Sequence, residues 1–289
     1  MSNIPRSGIH PPRASPVSVH PQGEHAGPRC GHTPDAVPGA VGSVVEVPIH
    51  LDVADRVATV TIDRTHRRNA LNHDALDELH HTLGAALEAG ARALVITGAD
   101  GHFCAGADLT ELEDVSFTSR LAEVLEHLAT APVTTVAAID GSCMGLGMQL
   151  AVACDVRVVG PTARFAVPVA RLGLMVDHWT VDRVARFWGE GAARHMVLTA
   201  AVLDTDDAWR LGFAQERGGL AEAQQVAARA AALAPLTQAG SKVGFDAHHD
   251  NHAELARYEA AFARAWASDD LAEGRRAFAE RRPPVFRGR

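Results

Sequence analysis

The spacing of apolar and polar positions changes several times along the chain, and each change predicts an element. Val57 to Ile62 alternates, with Val57, Thr59 and Thr61 on one side and Ala58, Val60 and Ile62 on the other, which is the period-two pattern of a strand. Val45 to Leu51 reads as its partner, with a hairpin through Asp52 to Asp55. Asn72 suits the N-cap of a helix that carries Leu76, Leu79, Leu83 and Leu87 on one face and ends at Gly90. Ala93 to Thr97 is then a buried strand. In the next cycle Ser119 caps a helix with Leu121, Val124, Leu125 and Leu128 inward, a stripe that reads as core or subunit contact. Pro132 stops that helix and Val133 to Ile139 is the next strand. Asp140-Gly141 turns the chain into a small-residue helix from Gly145 to Cys154, and Val156 to Val159 is another strand. Beyond about Trp179 every segment is helical in pattern, with Leu203 to Gly212, Ala221 to Leu233, Ala253 to Ala267 and Leu271 to Arg282 as candidates. Strands alternating with helices predict an α/β architecture whose strand ends present loops to a ligand.

Composition sets the first 44 residues apart. They hold eight of the 15 prolines, six glycines and four histidines (His10, His20, His25, His32) without apolar periodicity. Such a stretch cannot offset its ordering entropy by burial, and it lacks the apolar run of a secretory signal. The expected organisation is a disordered extension over 1–44, a core over 45–200 and a helical region over 201–289. With 27 basic and 35 acidic side chains the net charge is −8, which leaves no basic field for nucleic acid. No apolar run reaches the roughly 18 residues of a membrane span. Cys30, Cys104, Cys143 and Cys154 are scattered and form no Cys-x-x-Cys pair, so they read as reduced thiols of a cytoplasmic protein, with Cys104 and Cys154 in the core. His248 and His252 are four apart, but no third ligand follows and no metal site is expected.

Two glycine-bearing turns stand at strand ends: Phe103-Cys104-Ala105-Gly106-Ala107-Asp108 after the Ala93 strand, and Gly141-Ser142-Cys143-Met144-Gly145-Leu146-Gly147 after the Val133 strand. Unpaired N–H groups at such turns, helped by a helix N-terminus, can converge on an oxyanion. Taken with Arg68-Asn69-Ala70-Leu71-Asn72, Leu94 to Gly98, Ala138-Ile139-Asp140-Gly141, Cys154-Asp155-Val156-Arg157, Ser268-Asp269-Asp270 and Glu273 to Arg282, the sequence from about Val45 to Arg289 resembles the enoyl-CoA hydratase/isomerase, or crotonase, superfamily.

The resemblance implies a ClpP/crotonase-like spiral of ββα units with a C-terminal helical trimerisation region, assembled as a homotrimer or hexamer. It implies a bound acyl-CoA thioester, as substrate or ligand and without a further cofactor, whose carbonyl oxygen is held by the N–H groups of Ala107 and Leu146. Ala105, Gly106 and Asp108 belong to the first of these turns. Arg64, Arg67 and Arg68 lie where the family contacts the nucleotide of CoA, although the same arginines also read as a solvated basic turn. Phe278 and Arg281 match positions that reach the adenine of a neighbouring subunit.

The departure is at the carboxylates. The two hydratase glutamates align with Gln149 and Val169, neither of which exchanges a proton, so simple hydration is disfavoured. Asp177, beside His178 and Trp179, aligns with the nucleophilic aspartate of the dehalogenase branch. It also suits the N-cap of a helix beginning near Trp179. Gly147-Met148-Gln149-Leu150-Ala151, Phe165-Ala166-Val167-Pro168 and Asp177-His178-Trp179 further resemble a mycobacterial subgroup that lacks the hydratase carboxylates and binds long-chain acyl-CoA without turnover in lipid metabolism. The alternative reading is an active acyl-CoA isomerase, hydrolase or hydratase that uses Asp177 for proton transfer.

Overall fold

The computed structural model describes residues 48–110, 115–247 and 251–289. The expectations for the 1–44 extension, for Cys30 and for His248 lie outside these residues. Strands β1 (Ile49–Ala54) and β2 (Val57–Ile62) form an antiparallel pair in the register Ala54↔Val57. Their two-residue turn, Asp55-Arg56, has φ of 49° and 62°. The hairpin is thus tighter than the expected Asp52 to Asp55 connection. Two consecutive left-handed residues match the right-handed twist of the flanking strands.

Asn72 caps α1 (His73–Glu88) by accepting the Ala75 N–H at 3.0 Å. After β3 (Ala93–Gly98) comes α2 (Val115–Thr130), which begins a turn before Ser119 because Phe117 extends the apolar stripe of Leu121, Val124, Leu125 and Leu128. The chain continues through β4 (Thr134–Ile139), β5 (Ser142–Met144), α3 (Leu146–Ala153), β6 (Val156–Val159) and β7 (Arg164–Ala166). Helices α4 (His178–Trp188) and α5 (Glu190–Thr199) follow, and then the chain is not uniformly helical. Leu203-Asp204 forms β8, whose Asp204 caps α6 (Thr205–Arg210), and Glu216-Arg217 forms β9. Two-residue strands leave no period to read. Last come α7 (Leu220–Ala231), α8 (Pro235–Asp246), α9 (His252–Trp266) and α10 (Asp269–Glu280).

Six strands form one sheet in the order β1-β2-β3-β4-β6-β9, parallel except for β1, and β5-β7-β8 form a second. Alternation divides the large sheet into two apolar faces. Ala58, Val60, Ile62, Leu94, Ile96, Ala137 and Ile139 join the main core with α1, α2 and α3. Val57, Ala93, Val95, Val136, Ala138 and Val158 meet Ala223, Ala227, Ala230 and Ala231 of α7. Alanines at four-residue and three-residue spacing let α7 lie close on the sheet, and Gln224 donates to the Thr59 hydroxyl at its edge. Cys104, Cys143 and Cys154 are buried free thiols. Among the described residues no helix is long and apolar enough to cross a membrane.

Gly98 ends β3 where the 99–103 turn folds back. A Cβ at this position would lie 1.9 Å from the His102 carbonyl oxygen and 2.3 Å from that of Phe103. Both obstacles are backbone, so Gly98→Ala is expected to lower stability by about 1–3 kcal/mol, the usual cost of forced overpacking, measured by urea denaturation.

Candidate functional site

The turn from Cys104 to Asp108 is bonded on two edges. On one, Cys104 N–H donates to Ser142 O at 2.8 Å and Met144 N–H donates to Cys104 O at 3.0 Å. On the other, Leu71 N–H donates to Gly106 O at 2.9 Å and Asp108 N–H to Leu71 O at 2.8 Å. Successive N–H groups of an extended segment point in opposite directions. Since that of Asp108 points to Leu71, that of Ala107 points away, and no backbone acceptor among the described residues takes it. Gly106 makes the turn possible: its φ is 120°, and a Cβ there would lie 3.3 Å from the Met144 carbonyl oxygen.

The second turn leads into α3 through Gly145, whose φ of 51° favours glycine and whose N–H is held by Ala166 O at 2.9 Å. Leu146 is the first residue of the helix, so its N–H has no intrahelical partner. The two turns touch. Gly147 sits where a Cβ would be 2.3 Å from the Cys104 carbonyl oxygen.

Ala105, Gly106, Ala107, Leu146, Gln149, Val169 and Asp177 line one cavity of about 230 Å³. Its remaining walls are apolar apart from Thr118: Phe117, Leu121 and Leu125 from α2, and Leu172, Leu174 and Met175 from the segment before α4. Part of the α2 stripe therefore walls the cavity as well as joining the core. Asp177 is the sole ionisable lining residue among those described. Its Oδ1 caps α4 by accepting the Thr180 N–H at 3.0 Å, so the capping role is present in the fold. Gln149 is buried on α3, and its Nε2 donates to Thr180 Oγ1 at 2.8 Å. Thr180 thus joins two of the polar residues that line the cavity, Gln149 and Asp177. Sequence reasoning passed over it, and only the Asp177 cap pointed to its neighbourhood.

The arginines divide. Arg64, expected toward a nucleotide, is 8% exposed and turned inward, with its guanidinium on the Ala70 carbonyl and, at 3.4 Å, on Asp108. It is spent on holding the loop. Arg67 is half-exposed with Nε 3.8 Å from Asp108, and Arg68 is exposed while its carbonyl accepts the Ala105 N–H at 3.0 Å. Asn69 is fully buried and braces the same loop: its Oδ1 accepts the Arg64 N–H, and its Nδ2 donates to the carbonyls of Ala99 and His102. Trp179 is not part of the cavity lining; it packs on the core beneath the Arg183 guanidinium at 4.7 Å. Phe278 lines a separate groove among α8, α9 and α10, and Arg281 is the left-handed C-cap of α10. Burial pushes the Cys104 thiol up to about 12, and Cys143 and Cys154 rise for the same reason, so none supplies a thiolate nucleophile. Among the described residues no group of three side chains is placed to hold a metal ion.

A family model described as enoyl-CoA hydratase/isomerase matches residues 52–289. The chain belongs to that family. A relative named "Probable enoyl-CoA hydratase echA6" of Mycobacterium tuberculosis is 40% identical over 242 residues, covering 83% of this chain and 99% of that protein. The mitochondrial methylglutaconyl-CoA hydratase of Homo sapiens is 30% identical over 258 residues, covering 83% of this chain and 76% of that one. Among solved structures, an enoyl-CoA hydratase of Mycobacterium tuberculosis superposes with a TM-score of 0.77 at 26% identity, covering 84% of this chain and all of that one. The family assignment and the crotonase fold with its C-terminal helices agree with the likeness read from the motifs.

Asp108 anchors the first turn. Its carboxylate accepts from the Thr110 hydroxyl at 2.7 Å and the Thr110 N–H at 3.2 Å, and these bonds, the hydroxyl's foremost, with the fields of Arg67 and Arg64 hold it below the usual aspartate range. The stability it contributes is present above its unfolded value near 3.9 and is lost as pH falls through the lowered folded value. Asp108→Ala leaves Arg64 buried without its carboxylate partner and is expected to cost about 3 kcal/mol at pH 7, with the difference from wild type shrinking as pH falls from about 3.9, measured by denaturant titration across pH.

Proposed function

We propose that this protein binds fatty acyl-CoA thioesters, with the thioester oxygen received by the N–H groups of Ala107 and Leu146, and that it is deficient in adding water to them. The observation that carries the reading is a pair of unpartnered backbone donors at the wall of an apolar cavity in which Gln149 and Val169 stand where hydratases carry glutamates. Backbone donors serve any acyl chain, because the carbonyl they receive is common to all thioesters. In a cavity this apolar the bonds are stronger than in water, and the positive end of α3 adds to them. A positioned acid or base contributes about 10²- to 10⁴-fold, so two missing carboxylates remove most of the hydration rate while leaving binding.

Arg67 and Arg68, at the surface beside the first turn, suit the phosphates of CoA. The exposed apolar residues of the last three helices, among them Phe245, Tyr258, Phe262, Trp266 and Phe278, suit a trimer or hexamer in which Phe278 and Arg281 reach a neighbour's adenine. A cytoplasmic setting completes the reading.

One observation favours a second reading, an acyl-CoA isomerase, hydrolase or hydratase: Asp177 places a carboxylate at the cavity wall. Melting temperature with and without decanoyl-CoA, followed by a crotonyl-CoA hydration assay, separates the two. Binding at 100 times Kd should stabilise the fold by about 2.7 kcal/mol and raise the melting temperature. Turnover above about 1 s⁻¹ overturns the binding-only reading. Turnover that persists in Asp177→Asn removes Asp177 from the mechanism and turns attention to Glu111, Glu113 and Asp114, which lie outside the described residues. The double variant Gln149→Glu/Val169→Glu is expected to raise crotonyl-CoA hydration at least about 10²-fold over wild type, since it restores both proton-handling groups to a cavity that keeps its donors.

A further inference from the structure

His80 on α1 and His127 on α2 face each other across the helix contact, with ring centroids 4.7 Å apart and planes at 59°. The Nδ1 atom of each is sealed from solvent and has no hydrogen-bond partner. The His127 ring lies against the backbone of α1, where a Cβ on Gly84 would meet its Cε1 at 3.8 Å. A neutral imidazole can carry its proton on Nε2 and leave Nδ1 as a bare lone pair, whereas an imidazolium must carry a proton on both nitrogens. Protonation would therefore create a buried N–H donor on each ring with no acceptor, together with two positive charges at contact distance.

The charged neighbours do not relieve this. On α1 these are Asp77 and His81, whose ring is 6.3 Å from that of His80, and on α2 they are Arg120 and Glu123. Both carboxylates are already taken by Arg120, Asp77 at 2.5 Å and Glu123 at 2.6 Å. Burial, foremost, and the positive fields of Arg120, His127 and His81 hold His80 below the ordinary imidazole value, against the single opposing pull of Glu123.

The opposite side of α2 is functional surface, since Phe117, Thr118, Leu121, Ala122 and Leu125 form one wall of the acyl cavity. We propose that His80 and His127 form a proton-operated latch: with both imidazoles neutral, α2 is held against α1 and closes the cavity wall, and acidification charges the pair, loosens α2 and releases the ligand. The sign follows from linkage. A histidine held below its unfolded value contributes no penalty above about pH 6.5 and destabilises the fold as pH falls from there through the lowered value.

The ligand arm of the test rests on the acyl-CoA reading, and the other arms do not. Decanoyl-CoA affinity is measured at pH 7.5 and 5.5 for wild type and for His80→Gln/His127→Gln, whose amides do not titrate. Wild type is expected to weaken at least 10-fold at pH 5.5 and the variant less than 3-fold; titration of the CoA phosphates is common to both proteins and cancels in the comparison. Equal weakening overturns the proposal. In ¹³C-histidine NMR of the wild-type protein, which needs no folded variant, His80 is expected to titrate below the ordinary value near 6.5, with the wild-type melting temperature falling as it charges. Titration of His80 at the ordinary value also overturns it. Absence of decanoyl-CoA binding at pH 7.5 would refute the function proposed above, and the NMR and melting arms would still decide the latch.

Discussion

The segment Cys104 to Asp108 is pinned between Leu71 on one side and Ser142 to Met144 on the other, and the direction of the Ala107 N–H at the cavity wall depends on that double attachment. Four main-chain bonds use up the donors and acceptors that point along the two edges. The Ala105 N–H goes to Arg68 O, the N–H groups of Gly106 and Ala107 are left without a backbone acceptor among the described residues, and that of Ala107, a lining residue, points away from Leu71. The loop that supplies Leu71 is secured in turn by Asn69, fully buried and bonded to Arg64, Ala99 and His102, and by Arg64, bonded to Ala70 and Asp108. Conformations with positive φ at Arg68, Asn69 and Gly106 are affordable only inside such a network. A donor fixed by this many backbone bonds keeps its direction whatever side chain stands at its own position, and alanine and leucine therefore serve equally at 107 and 146.

Substituting an amide and an isopropyl group for two carboxylates changes more than proton transfer. A carboxylate enclosed among leucines and methionines carries a desolvation penalty that rises when an apolar ligand displaces the remaining water. Gln149 and Val169 carry no such charge, and Gln149 already has a partner in Thr180. The cavity can thus close over an acyl chain without stranding an ion. The proposed loss of hydration and the ease of enclosure would both follow from the same two residues, and they bear on the proposed function in the same direction. Asp177 sits differently, at the end of α4, where the helix needs an acceptor whether or not a ligand is present.

Elements with a full period were legible in the sequence. The alternation at Val57 to Ile62 and the leucine stripe after Asn72 occur as strand and capped helix with those bounds or within a residue of them. The Asp55-Arg56 turn was not, because neither residue announces a left-handed conformation as Asn-Gly would. Strands β5, β7, β8 and β9 have two or three residues each and exist through their neighbours alone. Helix α8 was also missed, since Gly240 and Gly244 interrupt its pattern. Gly244 has its reason in the tertiary structure, where a Cβ would lie 2.7 Å from the Tyr258 ring. In the site, the glycine turns and the missing carboxylates could be read directly. The inward turn of Arg64 and the Gln149–Thr180 contact could not, because both arise from pairs distant in sequence.

The cavity is held in two ways that differ in stiffness. Around Ala107 and Leu146 it is backbone bonded to backbone, which cannot shift without breaking several hydrogen bonds at once. Around Phe117, Leu121, Leu125, Leu172, Leu174 and Met175 it is side-chain packing, and Met175 is 93% exposed. Apolar packing is non-directional and tolerates rearrangement at small cost, and methionine adapts its shape most readily. On the proposed function, the thioester end of a ligand would meet a rigid pair of donors and the hydrocarbon end walls that yield. Helix α2 leans on α1 through the Arg120–Asp77 ion pair, the imidazole contact and apolar side chains, and on α3 through apolar side chains. On the proposals made above, adaptation to chain length and the response to pH both fall on that helix, because it is held by side chains while Ala107 and Leu146 are fixed by backbone.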